Sequence, residues 1–174
     1  MNHHTRTPGN TTRNRLGFTL VEMLTVLVVI ALLAALVIPG QAGRETERLR
    51  AAARTLAADA RFAQVWSIGN GADPAVLTFD TDVPSYRVAR RSDPATPITD
   101  PVTGVTYERV FGSGEASAFQ GITLGTLKLG GDNTLSYSAR GFIDQSDNAS
   151  IDLVDGTAIL TVAIDSETGM PTIE

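Results

Sequence analysis

Residues 18–38 form the stretch that most constrains how this chain can fold. These 21 residues contain only three polar side chains, those of Thr19, Glu22 and Thr25. At a rise of 1.5 Å per residue, a helix of this length extends about 30 Å, which is the thickness of the hydrocarbon core of a bilayer. We therefore predict a membrane-spanning helix over residues 18–38.

Glu22 is the unusual residue of this stretch. A carboxylate inside a spanning helix costs a few kcal/mol at the bilayer centre and less near the end of the helix, where Glu22 lies. An ionisable residue at such a place indicates a function, and charge pairing inside the membrane is the function that we expect. The alternative is a carboxylate that simply extends to the membrane surface.

The segment before the apolar stretch, residues 1–17, is polar and basic. It contains Arg6, Arg13 and Arg15 and no acidic residue, so the positive-inside rule predicts that this end stays in the cytoplasm and that the bulk of the chain crosses the membrane. Two other interpretations stay open: a plain single-pass anchor, and a secretory signal cleaved near Gly40 and Ala42. A secretory signal usually has an apolar region of only about 7–15 residues, without a glutamate.

The sequence Gly17-Phe18-Thr19-Leu20-Val21-Glu22, after a short basic leader, resembles the processing site of type IV prepilins and type II secretion pseudopilins. The resemblance implies that a dedicated membrane peptidase, the prepilin peptidase, cuts between Gly17 and Phe18 on the cytoplasmic side. It further implies that Phe18 is N-methylated and that Glu22 becomes the fifth residue of the mature chain. Pro39 lies where the helices of pilins commonly carry a kinking proline.

In that family the apolar helix is also the assembly element. The resemblance implies that residues 18–38 pack against other pilins or pseudopilins in a filament core. Glu22 would neutralise the N-terminal ammonium group of Phe18, on an adjacent subunit or on its own. Because such a pair is strong in a medium of low dielectric constant and an unpaired partner is heavily penalised, Glu22 would set the axial register between subunits.

The composition excludes several classes of enzyme. The chain has no cysteine, and its two histidines, His3 and His4, both lie in the leader. A processed chain would therefore lack Ser-His-Asp and Cys-His nucleophilic sites and imidazole metal sites. We expect no enzymatic activity and no cofactor.

The charge balance argues against nucleic acid as a partner. Removal of the three leader arginines from 14 basic residues leaves 11 against 19 acidic ones, so the formal net charge moves from −5 to −8. A chain this acidic repels phosphate backbones unless its arginines are concentrated on one surface. The candidates for such a surface are Arg87, Arg90, Arg91, Arg109 and Arg140.

Residues 39–68 are predicted to continue the helix, kinked at Pro39, in an amphipathic form. Apolar residues recur every three or four positions, and most of the charged residues, Asp59 among them, fall outside this stripe. Glycines at positions 69 and 71 predict the end of the helix. The stripe consists of Leu49, Ala53, Leu56, Ala60 and Ala63.

Residues 72–174 are predicted to form an antiparallel β domain, because short β-rich runs alternate with turn residues and no crossover helix lies between them. Asp155-Gly156 predicts a tight hairpin, and residues 92–104, which include three prolines, predict a loop. The fold class is thus α+β: a long N-terminal helix packed on an antiparallel sheet or small β-sandwich. The predicted strands are residues 75–79, 85–90, 105–111, 122–129, 134–138, 150–154, 158–164 and 171–173.

The C-terminal part carries a second resemblance. A strand that ends at Gly141, a hairpin over residues 151–164 and the turn Thr168-Gly169 are together similar to the pseudopilin H / FimT family of minor pilins. An acidic cluster in the same region suits calcium, which prefers oxygen ligands, although its spacing differs from a twelve-residue calcium loop. Solvated turn carboxylates are the alternative. The candidate ligands are Asp144, Asp147 and Asp152.

Together these features predict a minor pilin or pseudopilin subunit. It would be inserted in the bacterial cytoplasmic membrane with its N-terminus inside and its C-terminal domain outside, and would assemble at or near the tip of a type II secretion pseudopilus or a type IV pilus. The alternative is a membrane-anchored β domain that acts as a binding module at a pilus tip, for adhesion, DNA or secretion cargo.

Overall fold

The computed structural model describes residues 19–37, 41–100 and 102–174. The chain divides into two compact units, residues 1–39 and residues 40–174. In the first unit, helix α1 covers Leu20–Val37. In the second, helix α2 covers Gln41–Gly69 and is followed by nine strands and a short 3₁₀ helix, Gly114–Phe119. The strands are β1 Ala75–Asp80, β2 Ser85–Arg90, β3 Asp93–Pro97, β4 Glu108–Val110, β5 Thr123–Lys128, β6 Thr134–Ser136, β7 Ala149–Asp155, β8 Ala158–Ile164 and β9 Pro171–Ile173.

Helix α2 buries the stripe that the sequence predicts. All five of its residues are at most 2% exposed. Alanines dominate the buried face, and because their side chains are short the helix can approach the sheets closely. The helix ends at Gly69, beyond which the backbone N–H and the side-chain Nδ2 of Asn70 both donate to the carbonyl oxygen of Trp66. The five residues of the buried stripe are Leu49, Ala53, Leu56, Ala60 and Ala63.

The strands form two antiparallel sheets. The first has the order β3-β2-β1-β6, and β4 also pairs with β2. The second has the order β5-β7-β8-β9. Every pair is antiparallel, as predicted, and β7 and β8 form the predicted tight hairpin, in which Asp155 pairs with Ala158 across a turn that contains Gly156 at φ +62°.

The prediction of a loop over residues 92–104 is wrong in its first part. Strand β3 covers Asp93–Pro97 and pairs with β2, where Ala89 faces Pro97 and Arg90 faces Asp93 across a register shift. Prolines are tolerated in this strand because β3 lies at the edge of its sheet, where a missing N–H breaks no internal ladder. The 3₁₀ helix Gly114–Phe119 was also not predicted.

One continuous core joins α2 to both sheets. It includes Leu56 from the helix, Leu77 and Val88 from the first sheet, and Ile151 and Val162 from the second. All five are 0% exposed. The α+β class predicted from the sequence, with a helix packed on antiparallel sheets, is therefore confirmed for residues 41–174.

Candidate functional site

The start of helix α1 lies in the segment that resembles a prepilin processing site. Thr19 precedes the helix, and the backbone N–H of Glu22 donates to the Thr19 side-chain Oγ1 at 3.2 Å and to the Thr19 carbonyl oxygen at 3.1 Å. Thr19 therefore caps the first turn of the helix. A threonine at this position, with a glutamate three residues later, is a favoured start of a helix. The carboxylate of Glu22 in this first turn also suits the positive end of the helix dipole.

Helix α1 exposes apolar side chains on all of its faces. Every side chain from Thr19 to Leu33 is exposed, including Leu20 at 82% and Leu27 at 66%. The hydroxyl of Thr25 donates to the Val21 carbonyl oxygen at 2.7 Å, so the helix satisfies it internally. An apolar helix without a polar face requires an apolar surrounding on every side.

Glu22 is the exception on this apolar surface. Its side chain is exposed, and within residues 19–37, 41–100 and 102–174 its carboxylate has no hydrogen-bond or ion-pair partner. Three other residues predicted for this site, Gly17, Phe18 and Pro39, lie outside the described residues. Within the described part of the chain, no helix has the length and hydropathy needed to cross a bilayer.

The aspartates predicted as calcium ligands have separate surroundings. Asp144 lies 3.4 Å from the guanidinium of Arg91, Asp152 accepts a hydrogen bond from the Thr161 hydroxyl at 2.8 Å, and Asp147 is exposed. Over the residues that the structure describes, no group of three or more acidic side chains is arranged to hold a metal ion.

The candidate arginines for a nucleic-acid surface are mostly occupied by internal contacts. Arg87 donates to the Ala95 carbonyl oxygen at 3.1 Å, the guanidinium of Arg90 lies 5.7 Å from the ring centre of Trp66, and Arg91 pairs with Asp144. Arg109 is nearly buried. Arg91 and Arg109 thus pair with acidic groups of the same chain, whereas Arg140 is exposed.

A buried ionic network ties α2 to the first sheet, and the sequence pattern did not reveal it. Asp59 is only 5% exposed, although the helical pattern placed it outside the buried stripe. Its Oδ2 lies 3.2 Å from Nε of Arg109 and accepts a hydrogen bond from the Tyr86 hydroxyl at 2.8 Å. Arg109 also pairs with Glu115 in the 3₁₀ helix, at 2.8 Å. The only signal in the sequence is the opposite charge of Asp59 on α2 and Arg109 on a strand 50 positions later.

The electrostatics of this network follow from burial. Removal from water raises the pKa of the Asp59 carboxyl, and the neighbouring Arg109 guanidinium and the Tyr86 hydroxyl bond oppose this rise in part. Burial also raises the pKa of Tyr86 well above its usual value, and the adjacent Asp59 carboxylate adds to the rise. Tyr86 therefore stays a hydrogen-bond donor, and the network joins α2 to strands β2 and β4 of the first sheet.

The two turns that carry the second resemblance meet at α2. Nε2 of Gln64 donates to the carbonyl oxygens of Gly141, at 2.9 Å, and Thr168, at 2.7 Å. Gly169 has φ +70°, and a Cβ there would overlap the Gly141 carbonyl oxygen. An ion pair also joins α2 to the β7–β8 hairpin, where the guanidinium of Arg48 lies 2.8 Å from the carboxylate of Asp155. The C-terminal turns are thus fixed to the helix by polar contacts.

Comparison with known proteins is informative at the N-terminal segment. Residues 12–38 match the family model of the prokaryotic N-terminal methylation motif. No curated protein and no solved structure matches the chain. The matched residues contain the basic end of the leader, Gly17, and the whole apolar stretch, with Phe18 and Glu22. The match to the N-terminal methylation motif therefore supports the resemblance of this chain to type IV prepilins.

Proposed function

We propose that this protein is a minor pilin or pseudopilin subunit. The prepilin peptidase cuts it between Gly17 and Phe18, Phe18 is N-methylated, and the mature chain assembles at or near the tip of a type II secretion pseudopilus or a type IV pilus. The observation that carries the proposal is the methylation motif at residues 12–38. This motif supports processing by the peptidase and assembly with other pilins. The position at or near the tip is the further part of the proposal.

The surface of α1 supports a role in assembly. Apolar side chains stand on all of its faces, and such a surface suits both lipid and other apolar helices. We propose that residues 18–38 anchor the precursor in the bacterial cytoplasmic membrane, with the leader inside and residues 40–174 outside, and then pack in the filament core. Pro39 is proposed to loosen or kink the chain between the two helices.

Glu22 supports a specific register in that assembly. Its exposed carboxylate has no partner within the part of the chain that the structure describes, and processing would create an ammonium group at Phe18. An ion pair between the two, on adjacent subunits, would remove both unpaired charges from an apolar surrounding. This is a structural role, which the match to the methylation motif supports.

Mass spectrometry of the intact protein, purified from the membranes of its own cells, tests the processing step. We expect a mature chain that begins at N-methylated Phe18. A chain that begins at Met1, or one that is cut after Ala42, would overturn the proposal, because it would indicate a plain anchor or a secretory signal.

Incorporation into filaments tests the role of Glu22. We expect the Glu22→Ala variant to be processed normally and to be depleted in sheared filaments. The matched control is Thr25→Val, which removes a nearby polar group that the helix already satisfies and should incorporate normally. Quantitative mass spectrometry of the same filaments tests the minor role, and a subunit that proves as abundant as the major pilin would contradict it.

A further inference from the structure

Among the described side chains of helix α2, two arginines have no partner. The side chains of Arg54 and Arg61 are exposed, and among the described residues neither makes a hydrogen bond or ion pair. By contrast, Arg48 and Arg50 on the same helix pair with Asp155 and Glu47, at 2.8 and 3.1 Å. Arg54 and Arg61 are seven residues apart, which is two helical turns, so they lie on one face about 10 Å apart.

A cleft opens between these arginines. Besides the two arginines, it is lined by the small side chains of Ala57 and Ala58 and by Pro171, Thr172 and Ile173 of β9. Its volume is about 680 Å³, which lies within the usual range for ligand sites. The cleft therefore combines small apolar side chains with two cationic side chains.

Strand β9 offers free backbone groups beside the cleft. It is the last strand of its sheet, and no described strand pairs with its outer edge. The backbone of Glu174 exchanges hydrogen bonds with Thr161 on β8, at 2.9 and 3.2 Å. Because hydrogen-bonded and non-hydrogen-bonded pairs alternate in an antiparallel ladder, Ile173, which faces Val162, directs its N–H and C=O away from β8.

We infer that this cleft binds an extended acidic segment of a partner protein, which adds a strand to the free edge of β9 and directs carboxylates to Arg54 and Arg61. Edge strands with unpaired backbone groups are the usual sites of strand addition. Residues i and i+4 of a strand lie about 13 Å apart on one face, a span that the two long arginine side chains reach. An apolar residue at i+2 then contacts Ala57 and Ala58.

The chemistry of the segment follows from this geometry. It is acidic–x–apolar–x–acidic in an extended conformation, held by backbone hydrogen bonds and by charge-assisted hydrogen bonds to the two guanidinium groups. All of the residues involved belong to the unit of residues 40–174. Binding at the cleft is thus independent of whether the N-terminal segment is cut and methylated.

The test uses the full-length protein in detergent and a fluorescein-labelled peptide, Thr-Asp-Thr-Val-Thr-Asp-Thr, followed by fluorescence polarisation. We expect saturable binding that weakens at high salt. The Arg54→Glu/Arg61→Glu variant should weaken binding by about tenfold or more, since two ion pairs are replaced by repulsion. The matched control, Lys128→Glu/Arg140→Glu, makes the same change of charge at two exposed residues outside the cleft and should bind like the parent.

Further probes separate strand addition from simple charge attraction. The same peptide with N-methylated backbone amides keeps its carboxylates and cannot form a strand ladder, so it should bind at least about tenfold more weakly. Equal binding of the methylated peptide, equal weakening by both double variants, or no binding would overturn the proposal. Self-association of the protein that is lost only in Arg54→Glu/Arg61→Glu would assign the cleft to a second copy and overturn it too.

Discussion

Replacement of Arg109 by glutamine removes the cation beside the buried Asp59 carboxylate. The two groups lie 3.2 Å apart, and both side chains are largely shielded from water, at 13% and 8% exposure. At an effective dielectric constant of 20, their attraction is about 5 kcal/mol. Relaxation and entry of water reduce the loss, so we expect Arg109→Gln to lower the free energy of unfolding by about 3 kcal/mol at pH 8. For a unit of this size, the melting temperature should fall by about 10 °C.

The pH dependence of this loss distinguishes an unpaired charge from simple loss of packing. Arg109 lowers the pKa of Asp59, so without it the pKa of the folded state rises further above its usual value. Once Asp59 is protonated it no longer needs a cation. The deficit of Arg109→Gln should therefore be full at alkaline pH and should shrink, to below about 1 kcal/mol, as the pH falls toward 4.

Thermal unfolding of the full-length protein in detergent, followed by circular dichroism from pH 4 to 8, measures both effects. The matched control is Arg91→Gln, which removes an exposed ion pair at 3.4 Å and a hydrogen bond to the Tyr137 carbonyl oxygen at 3.1 Å, and which should cost about 1 kcal/mol at all of these pH values. A deficit of Arg109→Gln that is equally small, or one that grows on acidification, would refute the argument that Arg109 compensates a buried charge.

Three further predictions concern stability, each measured by denaturant unfolding of the full-length protein. Asp59→Asn should change stability by less than about 1 kcal/mol at pH 7, because Arg109 keeps its ion pair with Glu115 and the amide oxygen still accepts the Tyr86 hydrogen bond. Burial raises the pKa of Asp59 in the folded state. The contribution of Asp59 to the free energy of unfolding is therefore complete below its unfolded-state pKa and is lost as the pH rises through its folded-state pKa. The parent should thus lose stability relative to Asp59→Asn between pH 4 and 8, and a constant difference would contradict this. Gly169→Ala should cost about 3 kcal/mol or more, because a Cβ would overlap the Gly141 carbonyl oxygen. The control is Gly104→Ala, at a glycine with a similar φ of +72° and with open space where the Cβ would lie. It should cost only about 1 kcal/mol, and an equal cost at both glycines would argue against the overlap. Gln64→Glu, which places an acceptor against the carbonyl oxygens of Gly141 and Thr168, should cost about 2 kcal/mol, and an unchanged midpoint would show that these bonds carry no stability.

Features that depend on near neighbours along the chain were predictable. The apolar stretch with Glu22 at a fixed offset from Gly17 and Phe18 indicated the methylation motif that the family comparison finds. The buried stripe of α2 followed from its helical spacing, because residues three and four apart share a face whatever packs there. Most strands and the Asp155-Gly156 hairpin followed from alternation and turn residues.

Other features were decided by contacts between residues far apart in the chain. Asp59 is a charged residue on a helix, and nothing near it in sequence indicates that Arg109 and Tyr86 come to meet it in the core. Strand β3 contains prolines, which have no backbone N–H to donate. It forms because it lies at the edge of the first sheet, where it pairs with β2 on one side only.

The sequence by itself determined the apolar N-terminal helix, the methylation motif and the amphipathic face of α2, since these follow from residue type and local spacing. Only the tertiary structure decided how the described strands divide into two sheets, which charge is buried, and that Arg54 and Arg61 flank a cleft beside the free edge of β9. The physical reason is that burial and edge position are properties of the packed arrangement. A local pattern limits them but does not specify which distant element provides the contact.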